Sequence, residues 1–339
     1  MKILITGSSG FIAGYIIEEL LKYRHKVIGI DNLKKYGKIR KSYDSHKNFK
    51  FVKGDVKNCE FLKKQLLDCD HLIAGAAMIG GIPYFHEFAY DLISENEKII
   101  ASTFDAAIHS FKKRKLKKIT VISSSMVFES AKKFPTKEGD ERNIPPPKST
   151  YGFQKLSCEY FAQGAYEQYN LPFTIVRPFN AVGIGESKTM YGKDVLSGNV
   201  KLAMSHVVPD LVQKILKGQN PLRILGSGKQ IRNYTYAGDI AEAIRISLTE
   251  VKAKNTSINI STDYKISVLE LAEKIWKILN PGKKFKYISE KPYKYDVQRR
   301  IPSVNKAKKI LNFSANTSLD SILEEVIPWV KQMVKEKKI

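Results

Sequence analysis

Short apolar runs alternate with helix-period stripes along the first 180 residues. Lys2–Thr6 carries Ile3, Leu4 and Ile5 and reads as a strand. Phe11–Lys22 puts Ile12, Ile16 and Leu20 on one stripe beside Ile17 and Leu21, which predicts a helix. Further strands are predicted at Lys26–Ile30, Phe49–Lys53, His71–Ala74, Lys118–Ser123 and Phe173–Val176, and helices at Asp91–Ser110 and Tyr151–Gln168. Such alternation implies an α/β fold in which a doubly wound parallel sheet carries helices on both faces.

The second half is less regular. A helix is predicted to begin near Leu211 and run to Leu216, followed by a short strand at Leu222–Leu225, a helix at Tyr236–Leu248 and a strand at Thr256–Ile260. Val268–Leu279 and Leu319–Val334 read as amphipathic helices. Pro145-Pro146-Pro147 is a stiff loop, and residues 183–200, rich in Gly, Ser and Lys, read as irregular. With no repeat and no clean linker, a second, smaller domain is expected to be woven into the first. One domain would take residues 1–180 with about 234–262, and the other 181–233 with about 263–339.

Composition narrows the class. The 339 residues are 43% apolar and 27% charged, which excludes disordered and fibrous architectures. No apolar run reaches membrane-spanning length, and Met1 leads straight into a strand and a glycine turn. A cytoplasmic protein with no membrane partner is expected. Cys59, Cys69 and Cys158 form neither a disulfide framework nor a metal-ligand spacing, so no metal is expected. The net charge is +23, but 47 of the 57 basic residues are Lys, scattered over the chain. The densest run, Lys112 to Lys118, falls where a helix-to-strand loop belongs. This is a solvated surface rather than a nucleic-acid site, and its field would gather an anionic substrate.

The chemistry begins at Thr6-Gly7-Ser8-Ser9-Gly10-Phe11-Ile12-Ala13, which follows the first strand and opens a helix. Gly7 permits a tight turn, Gly10 allows backbone to approach a pyrophosphate, and small Ala13 allows close helix–strand packing. Phosphates would sit on the helix N-terminus, where free N–H groups favour anions. Asp31 ends the second strand, 24 residues after Gly7, where a carboxylate accepts from ribose hydroxyls and repels a 2′-phosphate. NAD is therefore expected over NADP, although Lys34 and Lys35 weaken the preference. Asp55, after the third strand, is placed to bond an adenine amino group.

Tyr151-Gly152-Phe153-Gln154-Lys155 sets a phenol and an ammonium one helical turn apart, capped by Ser149 or Thr150. The cation favours the phenolate and makes Tyr151 a usable general base. Ser123-Ser124-Ser125 ends a strand 27 residues before this helix, with a hydroxyl aimed into the crevice at the carboxyl end of the sheet.

Taken in order, the glycine loop, Asp31, the serines, Tyr-x-x-x-Lys and Arg177-Pro178-Phe179-Asn180 resemble the extended short-chain dehydrogenase/reductase family of nucleotide-sugar epimerases and dehydratases. The resemblance covers essentially the whole chain. It implies a Rossmann-type NAD domain, a smaller C-terminal domain that grips a nucleotide-diphosphate sugar, most readily a UDP-sugar, and a homodimer built on the helices Asp91–Ser110 and Tyr151–Gln168. It assigns catalysis to Tyr151, Lys155 and Ser124. It places Gly7, Gly10, Phe11, Ile12, Asp31, Asn32, Asp55, Val56, Ala74, Ala76, Lys155 and Pro178 against NAD. The substrate would meet Ser125, Met126, Asn180, Val207, Arg232 and Arg300, the two arginines pairing with its diphosphate. Asn96 resembles an asparagine behind the active site, and Phe128 stands where the family has a tyrosine. Gly80-Gly81 and residues 183–207 are expected to line the sugar pocket.

The residues beside the serine separate the reactions. Dehydratases of the family carry Asp-Glu there, UDP-glucuronate decarboxylases a Glu in place of Met126, and 3,5-epimerases a Cys. Ser125 and Met126 supply none of these groups. The minimal set that remains suits a 4-epimerase that oxidises C4 and returns hydride to the opposite face. A C4 dehydrogenase or ketoreductase is the second reading. A 4,6-dehydratase and a non-catalytic NAD-binding scaffold rank below it.

Overall fold

The computed structural model describes residues 1–80, 87–185, 189–191, 200–202, 206–292 and 297–337. Six strands, β1 (Lys2–Thr6), β2 (Lys26–Asp31), β3 (Phe49–Lys53), β4 (His71–Ala74), β5 (Lys118–Ile122) and β6 (Phe173–Pro178), join Thr256–Ile260 in one sheet. Its order is β3-β2-β1-β4-β5-β6 and then Thr256–Ile260, parallel throughout. The chain winds outward from β1 to β3, then returns to β4 on the other side of β1. A crevice opens at the carboxyl ends of β1 and β4, where the winding direction reverses.

Helices α1 (Phe11–Lys22) and α2 (Cys59–Gln65) are joined by α3 (Ala89–Lys112) and α4 (Thr150–Tyr169) over the sheet. On one face Ile16, Ile17 and Leu20 of α1 pack with Ile3, Ile5, Ile240 and Ile244. On the other, Phe104 of α3 and Ala162 of α4 pack with Leu4, Leu72 and Ile119. A third core gathers Leu211, Val212, Leu222, Leu271, Ile275, Trp276, Leu323 and Val326 from the second half of the chain. Ser267 and Glu270 form a reciprocal capping box at the start of helix Val268–Leu279.

Most predicted elements appear within two residues of their expected ends. Helix Val207–Leu216 starts four residues earlier than its apolar pattern indicates, and its first residues line the cleft. Helix Asn305–Leu311 was not foreseen. Its Ala307 and Leu311 pack in the core cluster that holds Ile16 and Ile244 rather than in the third core. Among the described residues no helix is long and apolar enough to cross a membrane, and no cluster of His, Cys, Asp or Glu can hold a metal.

The largest fully buried side chain is charged. Arg177 of β6 is 0% exposed and donates from Nε and Nη2 to the two oxygens of Glu159 at 2.8 and 2.6 Å. Its Nη2 also lies 2.9 Å from Glu141, and the guanidinium sits 5.0 Å from the Phe128 ring centroid. Burial works against the charge, but the two carboxylates outweigh it and hold Arg177 above its ordinary pKa. Arg177→Met would leave two buried carboxylates without their cation. The expected loss is about 3–5 kcal/mol of unfolding free energy, read from urea midpoints; a loss below about 1 kcal/mol would contradict this account.

Candidate active site

A cleft of about 590 Å³ runs from the glycine turn to the second half of the chain. At its cofactor end Gly7 has φ +73°, and a Cβ there would lie 2.8 Å from the Ala76 Cα. Thr6 Oγ1 ties the same two strand ends together, accepting from the N–H groups of Gly75 and Ala76 at 3.1 Å each. The Gly10 N–H donates to the Gly7 carbonyl at 2.9 Å, and no side chain caps α1. Its first-turn N–H groups therefore have no partner within the helix, and Gly10, Phe11 and Ile12 line the cleft.

Asp31 closes this end. Ser9 and Leu33 donate backbone N–H to its two oxygens at 3.0 and 2.7 Å. Burial raises its pKa, and these two bonds work in the opposite direction. Asn32, Asp55 and Val56 line the adjoining wall, where Asp55 accepts from the Lys57 N–H at 3.0 Å and lies 3.9 Å from the Lys34 ammonium. Ala74, expected at the cofactor, packs its side chain with Leu4 and Val121, and Ala76 packs against the same core. The wall is made by Gly75, Ala76 and Ala77, one residue further on.

At the chemical end Ser149 caps α4, its Oγ accepting from the Gly152 N–H at 3.0 Å. Glu129 Oε2 in turn accepts from the Ser149 N–H and hydroxyl at 2.8 and 3.0 Å. Tyr151 and Lys155 follow on the cleft face, and Lys155 donates to the Ile122 carbonyl at the end of β5 at 3.0 Å. Ser124 Oγ accepts from the Met126 N–H at 3.2 Å, starting the tight turn Ser125–Phe128. Ser123 does not face the cofactor chemistry alone: its hydroxyl donates to Glu159, the carboxylate that pairs with Arg177. Met126, Met78 and Leu92 pack with the Tyr151 ring. Asn96 fixes Met78 through two bonds to its backbone, at 2.7 and 2.8 Å.

The far end is cationic. Strands Ile231–Arg232 and Arg299–Arg300 pair in parallel with Arg232 opposite Arg300. Arg300 donates to Asn180 Oδ1 at 3.1 Å and approaches the Met126 sulfur at 2.8 Å. Arg232 donates to the carbonyls of Ile231, Val297 and Gln298. Burial, then Arg232, push Arg300 down to about 9. Two neighbouring guanidiniums, partly stripped of water, favour an anion that relieves their repulsion. Pro178 and Val207 also line the cleft.

Sequence reasoning overlooked Glu129, whose partner Ser149 is 20 residues away with no local pattern joining them. It also overlooked Leu211, Val268 and Tyr234, which line the cleft beyond the arginines and read in sequence as ordinary core. Of the expected pocket loops, Gly80 lines the cleft, whereas Gly81 and residues 186–188, 192–199 and 203–205 lie outside the described residues.

The family profile described as NAD dependent epimerase/dehydratase family matches residues 3–261. The chain belongs to this family, within the extended short-chain dehydrogenase/reductases, and its cofactor is NAD. It is 28% identical to UDP-N-acetyl-alpha-D-glucosaminuronate decarboxylase of Bacillus cytotoxicus, over 98% of each chain. It is 26% identical to UDP-glucuronate 4-epimerase of Thermodesulfobacterium geofontis, over 98% of this chain and 97% of that one. The crystal structure of UDP-glucuronic acid 4-epimerase from Bacillus cereus with UDP-glucuronic acid and NAD superposes with a TM-score of 0.82 at 26% identity, covering 98% of this chain and all of that one. The glycine cradle, the uncapped helix start and Asp31 suit a dinucleotide. Acid denaturation of the purified protein should release NAD(H), and Asp31→Asn should weaken NAD retention roughly tenfold. Recovery of NADP(H) alone would contradict the role given to Asp31.

Proposed function

We propose that this protein is a nucleotide-sugar 4-epimerase acting on a UDP-sugar. The observation that carries the reading is the wall around Tyr151. Met126, Met78 and Leu92 pack on it, and none has a titratable proton. Glu129 also borders the cleft, but one of its oxygens is committed to Ser149 at the start of α4. With Tyr151 as the base beside this wall among the described residues, the site suits chemistry confined to C4.

Tyr151 takes the proton of the sugar 4-hydroxyl through its phenolic oxygen. The Lys155 ammonium, one turn along and anchored to the Ile122 carbonyl, stabilises the phenolate. Ser124 bonds the same substrate oxygen and keeps it in line with Tyr151. When bound, NAD supplies the group that accepts hydrogen from C4 and gives it back. Arg232, Arg300 and Asn180 hold the diphosphate, so the sugar can turn over about its linkage without leaving. Tyr151 then returns its proton to the inverted hydroxyl. The apolar wall keeps water from the 4-keto sugar.

Two relatives that carry a UDP-sugar in their names, the decarboxylase and the 4-epimerase above, support a UDP-sugar. In this reading residues 1–180 with about 234–262 serve the cofactor, and 181–233 with about 263–339 serve the sugar nucleotide. Two copies pair through α3 and α4, whose outer faces expose Tyr90, Phe153 and Tyr160.

Incubation with UDP-glucose, UDP-N-acetylglucosamine and UDP-glucuronate, without added NAD, should convert one of them to its C4 epimer by NMR. Carbon dioxide release or a 4-keto-6-deoxy product would contradict the reading. Tyr151→Phe should lower turnover by roughly 10²–10⁴ while UDP affinity changes little, and half-retained activity would remove Tyr151 from its role.

A further inference from the structure

Tyr15 lies outside the cleft lining yet touches three parts of the molecule at once. It sits on α1 one turn after Phe11, and the two rings meet edge to face at 5.8 Å. Phe11 lines the cleft at the uncapped start of the helix, where NAD would set its phosphates. The Tyr15 hydroxyl accepts from the Ile184 N–H at 2.8 Å and donates to Glu325 Oε1 at 3.2 Å. Glu325 belongs to the C-terminal helix Leu319–Lys335. The ring also meets Tyr236 edge to face at 5.6 Å. Any side chain at Gly183 would strike the Tyr15 hydroxyl, a Cβ lying only 2.5 Å away.

These contacts lead to the substrate end by short covalent paths. Residues 183 and 184 continue from Asn180, the partner of Arg300, through the strand Ala181–Val182. That strand pairs with Thr235–Tyr236, Val182 opposite Tyr236. On the other side Phe11 faces the His206 ring at 5.7 Å, and His206 starts the helix whose Val207, Val208 and Leu211 line the cleft. Tyr15 is deeply enough buried that desolvation, foremost, holds its pKa above the ordinary phenol value, so its proton stays on the bond to Glu325.

We infer that Tyr15 is a positioning residue that couples the two ligands: by pinning Ile184 and Glu325 to the cofactor helix, it makes a nucleoside diphosphate bind more tightly once NAD is in place. A cofactor that fixes α1 fixes Tyr15, and Tyr15 fixes the segment that carries Asn180 toward Arg300. The second ligand then meets a site whose ordering cost has already been met. Linkage requires the reverse as well, so the sugar nucleotide would raise the affinity for NAD by the same factor. The inference rests on the reading of the arginine end as the diphosphate site.

Calorimetric titration of UDP into NAD-loaded and NAD-stripped protein tests both. The unaltered protein should bind UDP roughly fivefold or more tightly when loaded. Tyr15→Phe removes only a hydroxyl, and should bring that ratio close to one while bound NAD per chain is unchanged. Glu325→Ala, which takes the carboxylate from the same hydroxyl, should lower the ratio in the same direction. A ratio of one in the unaltered protein, or a full ratio in both variants, overturns the coupling. UDP binding to neither form overturns the diphosphate reading, and the coupling with it.

Discussion

Two backbones meet where the sheet reverses its winding, and their distance sets what the cleft can hold. With Gly7 at φ +73° and the Ala76 Cα 2.8 Å from where a Cβ would be, the turn after β1 tolerates no side chain. Thr6 closes the same junction by bonding to Gly75 and Ala76. This tight passage lets the start of α1 open directly onto the crevice. Parallel register then brings the ends of β2, β4, β5 and β6 to the same edge. Asp31, Ala76, Ser124 and Asn180 arrive together because they follow those ends.

Charge is arranged along the cleft in opposite senses. Around Tyr151 pack Met126, Met78 and Leu92, and Lys155, one helical turn along, is held to a backbone carbonyl. Further out, Arg232 and Arg300 face one another across a strand pair, and burial together with Arg232 works against the charge on Arg300 while Tyr151 and Glu129 favour it. The buried Arg177–Glu159–Glu141 group is different in kind. Its cation is shared by two carboxylates, and the group steadies Ser123 and the helix that carries Lys155.

The large sheet was legible because its strands are short apolar runs separated by helical stripes, a pattern that survives without tertiary context. The glycine loop and Tyr151–Lys155 were legible because their spacing is local. The strand end was harder to read in detail: the Ala74 side chain packs in the core while Gly75, Ala76 and Ala77 line the cleft. The strands Ile231–Arg232 and Arg299–Arg300 are too short to carry a period, so the meeting of the two arginines came only through the resemblance. Helix Asn305–Leu311 escaped notice because it buries little beyond Ala307 and Leu311 among lysines. The Tyr15–Ile184 bond joins residues 169 apart, and nothing local announces it.

The central claim is that one base confines the chemistry to C4. Turnover in D₂O followed by NMR and mass spectrometry of the product sugar tests it directly. Confinement predicts no carbon-bound deuterium, because only the hydroxyl proton is exchanged through Tyr151. Deuterium at C3, C5 or C6 would contradict it, since only removal of a proton from a carbon of the 4-keto sugar, or its replacement there, puts solvent hydrogen at those positions.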